Sequence, residues 1–592
     1  MQSHKQIIAQ CSQSSMPVAL YNSKQVYSME QAWFAQGYNS FGLMQQAAWQ
    51  MTQHIIQLNE QVNAQLYHKE RYYSRTTRQP RACIWVGQGN NGGDGWLIAH
   101  YLHQAGWQVQ VMTVGIKMFN ETKMLDKTQP DKSQNNNVSI SDAAKAQHIA
   151  LDNHCLCQRF EDSDYYQNEK SQLDMTLQAD VYIDALFGIG LDRAPKGVYK
   201  QAICAFNNSA QQNNALAIAV DIPSGLVAST GQVFDRIAIQ ADVTLCLIAR
   251  KFGLHTTDGM DYSGEVIDVP LIPYASVEPV ATLLTKAKAL AERRQNSYKG
   301  SYGHVLVIGG NRVDGSQGMG GAAILSSASA MAAGAGKITV ACHDAFHGAL
   351  LTSLPDAMTI DLHDQDGVEK LIGDTTVVAI GMGLGRDKKA EKLFINYIQT
   401  IIATDCAIVI DADGLYHLAS LQADKHELIN ELKKYSKTHQ VCLTPHSGEA
   451  ARLLNQEINE IESNRLSAIQ QCADIYGGDW VLKGAGSLVL EKEKIYVCGV
   501  GNAGMATAGM GDVLSGVTAG LLAQEDLNNK HSNLHQAVLI HGLAGDVLVN
   551  QKTSNCVAGN FQGDNPLMIS QRGMQSQDMP AAIRHVMQTY TY

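Results

Sequence analysis

Apolar residues recur along this chain in two patterns, helical stripes and short continuous runs that read as buried strands. Between Val26 and Leu58 the spacing is helical, through Met29, Ala32, Trp33, Phe41, Met44, Ala47, Ala48 and Met51. A strand follows at 81–87, then a helix after Trp96 and a second strand at 109–114. The pattern lapses over 116–178, which is rich in Gln, Asn, Asp and Lys, including Asn135-Asn136-Asn137. That stretch predicts a polar, partly mobile surface insertion with some helix. Strands resume at 179–187, 215–220, 243–248 and Glu265–Val269.

The second half repeats the alternation. Strands are predicted at His304–Ile308, Lys337–Cys342, 376–380, Ala407–Ile410, 441–444 and 480–483. Helical patterns fall at 316–335, 388–402, 447–456 and 464–475, and 489–497 reads as a hairpin. Strands alternating with helices predict an α/β protein with largely parallel sheets. With 592 residues the chain exceeds one core, so two domains are expected. Residues 1–20 read as a polar tail, 21–275 as the first domain and 276–592 as the second. Pro270 and Pro273 close the first domain, and 276–294 predicts a linking helix with Leu283, Leu284, Ala287 and Leu290 on one face.

Composition narrows the function. Hydrophobic residues make up 45% and charged residues 17%, as in globular proteins. A net charge of -11 argues against nucleic acid as the partner. No apolar run is long enough for a bilayer. The polar N-terminus lacks a signal-like apolar stretch, so a cytoplasmic protein is expected. The twelve cysteines are scattered, and Cys155 and Cys157 do not form a CxxC pair, so reduced thiols are expected.

The chemistry-bearing residues gather where strands end. In the first half these are Asn90, Asn91, Gly92, Gly93 and Asp94, then Asp184, then Asp221 and Ser224. Open α/β sheets bind ligands at strand carboxyl ends. Asp and Asn-Gly there are also ordinary turn residues, and only their convergence favours a site. Asn and Ser oxygens with Asp184 form a hard-oxygen set suited to a weakly held cation, leaving Asp221 as a candidate acid or base. In the second half, Gly381-Met382-Gly383-Leu384-Gly385, Asp411, Asp413, His446, Glu449 and Lys483 stand at strand ends. His446 and Glu449 also read as a helix cap and its partner. The Gly501–Gly516 stretch is dense in glycine and small residues, and it delivers one carboxylate, Asp512, into a helix running toward Leu522. Asp512 reads either as a helix cap or as a base at the mouth of a phosphate cradle.

Three motifs of the first half resemble the YjeF N-terminal domain: Gly89-Asn90-Asn91-Gly92-Gly93-Asp94-Gly95, Asp184-Ala185-Leu186-Phe187-Gly188-Ile189-Gly190-Leu191 and Val220-Asp221-Ile222-Pro223-Ser224-Gly225. The resemblance covers about 21–275 and implies a Rossmann-like three-layer sandwich that epimerises NAD(P)H hydrated at C6 of the nicotinamide ring. It implies that Asn90, Asn91, Gly92, Gly93 and Asp94, with Gly188, Ile189, Gly190, Leu191, Asp192, Arg193 and Ala194, hold the nucleotide. It implies potassium at Asn91, Asp184 and Ser224, and Asp221 as ligand contact and acid/base. Gln88 stands where the family has Pro, a departure that predicts a looser loop.

About 290–592 resembles the YjeF C-terminal domain, a relative of the ribokinase fold. The runs Tyr298–Gly303, Gly-Met-Gly-Leu-Gly, Thr-Pro-His-Ser-Gly-Glu, Lys-Gly and Gly-Met-Gly-Asp carry it in the family's order. The resemblance implies an ADP-dependent dehydratase of the S hydrate. Ala322, Gly383, His446 and Asp512 would contact the hydrated cofactor, and Lys483, Gly484, Ala485, Gly486, Ser487 and Gly511 would hold the adenine nucleotide. Asp512 would be the catalytic base, magnesium would assist, and the protein is expected to be a homo-oligomer acting on NADHX and NADPHX. Met382, Ala503 and Ser487 depart from the family's Pro, Pro and Thr. Two rivals stand beside this reading: an ATP-dependent small-molecule kinase with an accessory domain, and a first domain serving only as a scaffold.

Overall fold

The structure is a computed structural model that describes residues 18–69, 78–116, 140–162, 178–273, 277–287, 290, 292–312, 318–524, 534–549 and 569–589. The chain divides into two compact units, one holding Ala19–Val280 and the other Ala281–Tyr592. No helix among the described residues is long and apolar enough to cross a membrane.

In the first unit, helices α1 (Ser23–Ala35) and α2 (Ser40–Lys69) precede the sheet. The single helical stripe expected from Val26 to Leu58 is therefore two helices, parted at Gly37, whose φ of +94° suits glycine. Strand β1 (Arg81–Val86), helix α3 (Asn90–Gln104) and β2 (Gln108–Thr113) form the first β–α–β unit. Then come α4 (Asp142–Asp152), β3 (Leu156–Arg159), β4 (Val181–Ala185), β5 (Leu216–Val220), β6 (Val243–Leu247) and β7 (Glu265–Val269). The strands lie in the order β3-β2-β1-β4-β5-β6-β7, all parallel. The order reverses between β1 and β4, the point where such sheets open a ligand crevice. Alternate residues enter two separate cores: Ile84, Val86, Val111 and Ile183 on one face, Cys83, Trp85, Met112 and Tyr182 on the other. A parallel sheet covered on both faces needs such uninterrupted apolar runs.

Within the 116–178 insertion, the described residues contribute α4 and the edge strand β3, so part of it belongs to the sheet. Leu156-Cys157-Gln158-Arg159 is too polar to read as a strand, and its pairing with β2 decides it. The Asn135–Asn137 run lies outside the described residues, as do residues 1–17 of the expected tail; the end of that stretch, Val18–Leu20, is not tail but a short strand with Leu20 fully buried.

The second unit opens on a strand, not on the expected linking helix: β8 (Ala281–Leu284) pairs parallel with Tyr496–Cys498. A four-residue apolar run has no helical periodicity of its own, and the open edge takes it. The remaining strands are β9 (His304–Ile308), β10 (Lys337–Cys342), β11 (Met358–Asp361), β12 (Val377–Ile380), β13 (Ala407–Ile410), β14 (Val441–Leu443), β15 (Asp479–Leu482), β16 (Leu488–Glu491) and β17 (Lys494–Cys498). They lie in the order β8-β17-β16-β15-β14-β13-β12-β9-β10-β11, parallel except β16, which runs against both neighbours. Helices α5 (Gly320–Ala332) and α8 (Met510–Leu522) cross at backbone distance. A Cβ added at Gly516 would sit 2.0 Å from Ser326 O, and one at Gly520 would sit 2.5 Å from Ala330 O. Most of the small residues of both helices thus serve packing.

Candidate active sites

In the first unit, β1 ends at Val86 and turns through Gly87 under the end of β4. A Cβ at Gly87 would lie 2.1 Å from Leu186 O, and one at Gly92 would lie 2.0 Å from Gly87 O, so only glycine lets this loop close. Gln88 does not loosen the loop: its amide donates to the Gly115 carbonyl. A cavity of about 970 Å³ opens at these strand ends. Asn90, Asn91 and Asp94, the whole run Gly188, Ile189, Gly190, Leu191, Asp192, Arg193 and Ala194, and Asp221 line it. Gly92 and Gly93 are buried and do not line it.

Asp221 follows β5 with a φ of +68°, a conformation rare outside glycine. Its carboxylate accepts from Leu247 N at 3.0 Å and from the Lys251 ammonium. Lys251 is fully buried and also donates to Leu247 O at 2.7 Å. Burial works against its charge, yet Asp221 and Cys246 outweigh burial and hold the ammonium above the usual lysine range. Asp94, on α3, and Glu30, on α1, also line the cavity, with Asp192, Arg193 and Lys196 on its wall. Burial, then the charges of Asp221 and Glu30, push the Asp94 carboxyl well above the ordinary range. Burial and Asp221 raise Glu30 against the pull of Lys251.

Beneath the cavity lies an oxygen-rich knot. Asp184, completely buried on β4, accepts from Ser224 N at 2.7 Å, Ser224 Oγ at 2.7 Å and Leu186 N at 3.1 Å. Phe187 N donates to Ser224 Oγ at 2.8 Å, and Asn91 Nδ2 donates to Phe187 O at 2.8 Å. Burial pushes the Asp184 carboxyl up to about 6, because no cationic side chain among the described residues pairs with it. One buried carboxylate beside hydroxyl, amide and carbonyl oxygens is a donor set that fits a monovalent cation.

In the second unit three segments meet at Asp411, just past β13. Lys483 Nζ, past β15, lies 2.8 Å from Asp411 Oδ1, and Ser515 Oγ, on α8, donates to Asp411 Oδ2 at 2.6 Å. Burial opposes the Asp411 charge, but Lys483 and Ser515 outweigh it and hold the carboxyl below the ordinary range. Glu449 Oε2 stands 3.6 Å from the same ammonium. A Cβ at Gly511 would lie 3.2 Å from Lys483 Nζ, so the glycine loop and this lysine are neighbours.

Helix α8 begins after Gly509, whose φ is +88° and which offers no side chain to the first-turn N–H groups. Asp512 is therefore not the cap. Burial first, then the charge of Asp411, push its carboxyl up to about 7 against Lys483. His446, by contrast, does cap helix α6 (Ser447–Leu454): its Nδ1 accepts from Gly448 N at 3.0 Å, and Glu449 closes the box by accepting from His446 N at 2.9 Å. His446 also bridges to Lys483 along the backbone.

The Lys483, Gly484, Ala485, Gly486 and Ser487 loop is clamped from below. Arg465, at the start of helix α7 (Arg465–Tyr476), donates to Leu482 O and Ala485 O, both at 2.8 Å. Ser487 Oγ donates to Gly484 O at 2.9 Å. Asp546, buried on helix α9 (Leu534–Leu548), accepts from Gly501 N at 2.9 Å and Asn502 Nδ2 at 3.1 Å, fixing the start of the glycine loop. Elsewhere Gly383, with a φ of +68°, packs against Ala322: a Cβ there would lie 3.4 Å from the Ala322 Cβ.

Residues 305–560 match a family described as NAD(P)H-hydrate dehydratase, and residues 40–253 match the YjeF-related protein N-terminus. A bifunctional NAD(P)H-hydrate repair enzyme of Coxiella burnetii is 32% identical over 480 residues, spanning 78% of this chain and 84% of that protein. The chain belongs to the bifunctional NAD(P)H-hydrate repair enzyme family. Relatives of the same description from Escherichia coli and Vibrio cholerae are 32% and 37% identical, over 79% and 60% of this chain and 81% and 68% of their own lengths.

Against this family background, the strand-end residues Asn91, Asp94, Asp184, Asp221 and Ser224 gather at one end of one sheet, and Lys483, Gly511 and Asp512 at one end of the other. Three charged residues escaped the sequence reading of the sites, Glu30, Lys251 and Arg465, and a fourth, Asp411, reads there as a strand-end residue without its role as the anchor of Lys483. Asp411 carried a signal, its place after a strand. The other three lie where a charged residue reads as solvated surface.

Proposed function

We propose that the two units carry out successive steps in the repair of hydrated NADH and NADPH. The first interconverts the R and S hydrates, and the second dehydrates the S form at the expense of ADP, giving AMP and phosphate. The observation that carries this reading is Asp512. It stands in the first turn of α8, unused as a cap, beside a glycine loop and a lysine, with its carboxyl near 7. A base with that value exchanges protons readily at neutral pH.

In the second unit, Asp512 takes the proton of the C6 hydroxyl as the ADP β-phosphoryl group is transferred to that oxygen. Lys483 and the N–H groups of the Gly509–Asp512 turn steady the phosphoryl charge. The Lys483-to-Ser487 loop, clamped by Arg465, holds the nucleotide. Ala322, Gly383 and His446 shape the hydrate's side of the site. Phosphate then leaves from C6 with help from the ring nitrogen lone pair, and loss of a C5 proton restores the double bond. Magnesium, when bound, neutralises phosphate charge. Among the described residues no group of three His, Cys, Asp or Glu side chains converges on a metal position, so the nucleotide's own phosphates would be its main ligands.

In the first unit, the Asn90-to-Asp94 and Gly188-to-Ala194 loops hold the dinucleotide, and Asp221 acts on the C6 hydroxyl. Asn91, Asp184 and Ser224 would hold potassium, which supplies a fixed positive charge at the strand ends.

The test is to incubate the protein with mixed R and S NADPH hydrate, potassium and magnesium, with ADP or with ATP, and to follow NADPH absorbance. Full recovery with ADP, including the R fraction, is expected. Recovery that stalls at the S fraction removes the epimerase half. No recovery with either nucleotide removes the whole reading in favour of a kinase.

A further inference from the structure

Four carboxyl side chains line the cavity of the first unit, those of Glu30, Asp94, Asp192 and Asp221, and among the described residues only Asp221 has a cationic partner there. Asp221 is paired with the fully buried Lys251. Glu30 and Asp94 line the same cavity and have no hydrogen-bond partner among the described residues. Asp94 is only 7% exposed, whereas Glu30 is more open to the cavity, so Glu30 is the one a substrate reaches.

We propose that Glu30 is a second catalytic group of the epimerase, giving a proton to the ring nitrogen while Asp221 takes one from the C6 hydroxyl. This rests on the epimerase reading of the first unit. Inverting C6 requires that it become planar. C6 carries both the hydroxyl and N1, so the ring can open there. Asp221 removes the hydroxyl proton, the C6–O bond becomes a carbonyl, and the C6–N1 bond breaks. Its electron pair passes to N1, which Glu30 protonates. The aldehyde turns about the C5–C6 bond, and the reverse steps close the ring on the other face and return both protons. Nothing is consumed, so atoms and electrons balance.

The step needs one ionised and one protonated carboxyl at the same moment. Two neighbouring carboxyls with differing environments supply such a pair. The Asp221 carboxylate is held by the Lys251 ammonium and by Leu247 N at 3.0 Å. Burial and the Asp221 charge favour the protonated form of Glu30. The charged groups facing Glu30 are Asp221, Lys251 and Asp94, with Asp192, Arg193 and Lys196 also on the cavity wall.

The experiment uses the full chain and its Glu30→Gln and Glu30→Asp variants, starting from pure R hydrate and measuring R-to-S conversion against substrate concentration and pH. Urea unfolding of the first unit checks that each variant is folded, and dehydration of the S hydrate by the second unit serves as the internal activity standard. Glu30→Gln is expected to lower kcat about 100-fold or more with KM little changed. Glu30→Asp is expected to restore part of the loss. The wild-type rate should fall at alkaline pH as Glu30 loses its proton, and Glu30→Gln should lack that fall. A Glu30→Gln variant with wild-type kcat, or with its loss wholly in KM, overturns the proposal. If the wild type interconverts no epimers, the epimerase reading itself fails. If the wild type works and Glu30→Gln equals it, only the role of Glu30 fails.

Discussion

Lys483 Nζ sits 2.8 Å from Asp411 Oδ1, so the cation beneath the glycine loop is anchored by a carboxylate from a different strand end. Asp411 is 1% exposed, and its charge is the next cause after burial of the raised Asp512 carboxyl. The pair therefore does two things: it holds Lys483 below Gly511, and it sets the proton affinity of the candidate base.

A pH profile follows from that arrangement. Asp512 must be ionised to accept a proton, so kcat/KM for dehydration should rise with pH through about 7, the value to which its carboxyl is pushed. Asp411→Asn removes a neighbouring negative charge, and the rising limb should move to lower pH. Burial remains, so the shift is partial. An unmoved limb would mean that another group titrates.

Asp512→Asn should lower kcat of dehydration about 10²–10⁴-fold, the usual worth of a positioned acid or base. Epimer exchange by the first unit should stay at the wild-type rate. Steady-state kinetics of both reactions on one preparation decide this.

Asp221→Asn leaves the Lys251 ammonium at 0% exposure without its carboxylate. Breaking one side of a buried ion pair costs about 3–5 kcal/mol. Because Lys251 is held above the usual lysine range, the pair's contribution is complete below that range and declines only as pH rises through the raised value. Urea unfolding near neutral pH should show the first unit destabilised by that amount. A variant as stable as the wild type would mean that the ammonium finds water.

Exchanging potassium for choline should lower both the melting temperature and the epimerisation rate. Asp184→Asn and Ser224→Ala should make the protein indifferent to the exchange, because they remove the buried carboxylate and the hydroxyl of the oxygen knot. Differential scanning in the two salts is the measurement, and identical wild-type curves would remove the cation from this site.

Gly516→Ala should destabilise the second unit by about 1–3 kcal/mol through overpacking. The added carbon would lie 2.0 Å from Ser326 O, a backbone atom that cannot swing away. A chemical-denaturation midpoint equal to the wild type would show that α5 and α8 separate cheaply.

Much of this protein is legible in one dimension. Runs such as Cys83–Val86 and 216–220 must be buried on both faces, and such strands exist only in covered parallel sheets. Parallel α/β sheets bind ligands at the carboxyl ends of their strands, so Asn91, Asp184, Asp221 and Lys483 announce their positions by standing at or just past those ends. What the tertiary structure alone decided is pairing. Residues 281–284 became a strand because an edge at 496–498 was open to them. Lys251 and Arg465 are buried because specific acceptors, Asp221 and the loop carbonyls of 482–486, outweigh the cost of dehydrating a charge. Glu30 reached the cavity because α1 carries it there. Periodicity is a property of neighbours in sequence, and the energy of a charge is set by neighbours in space.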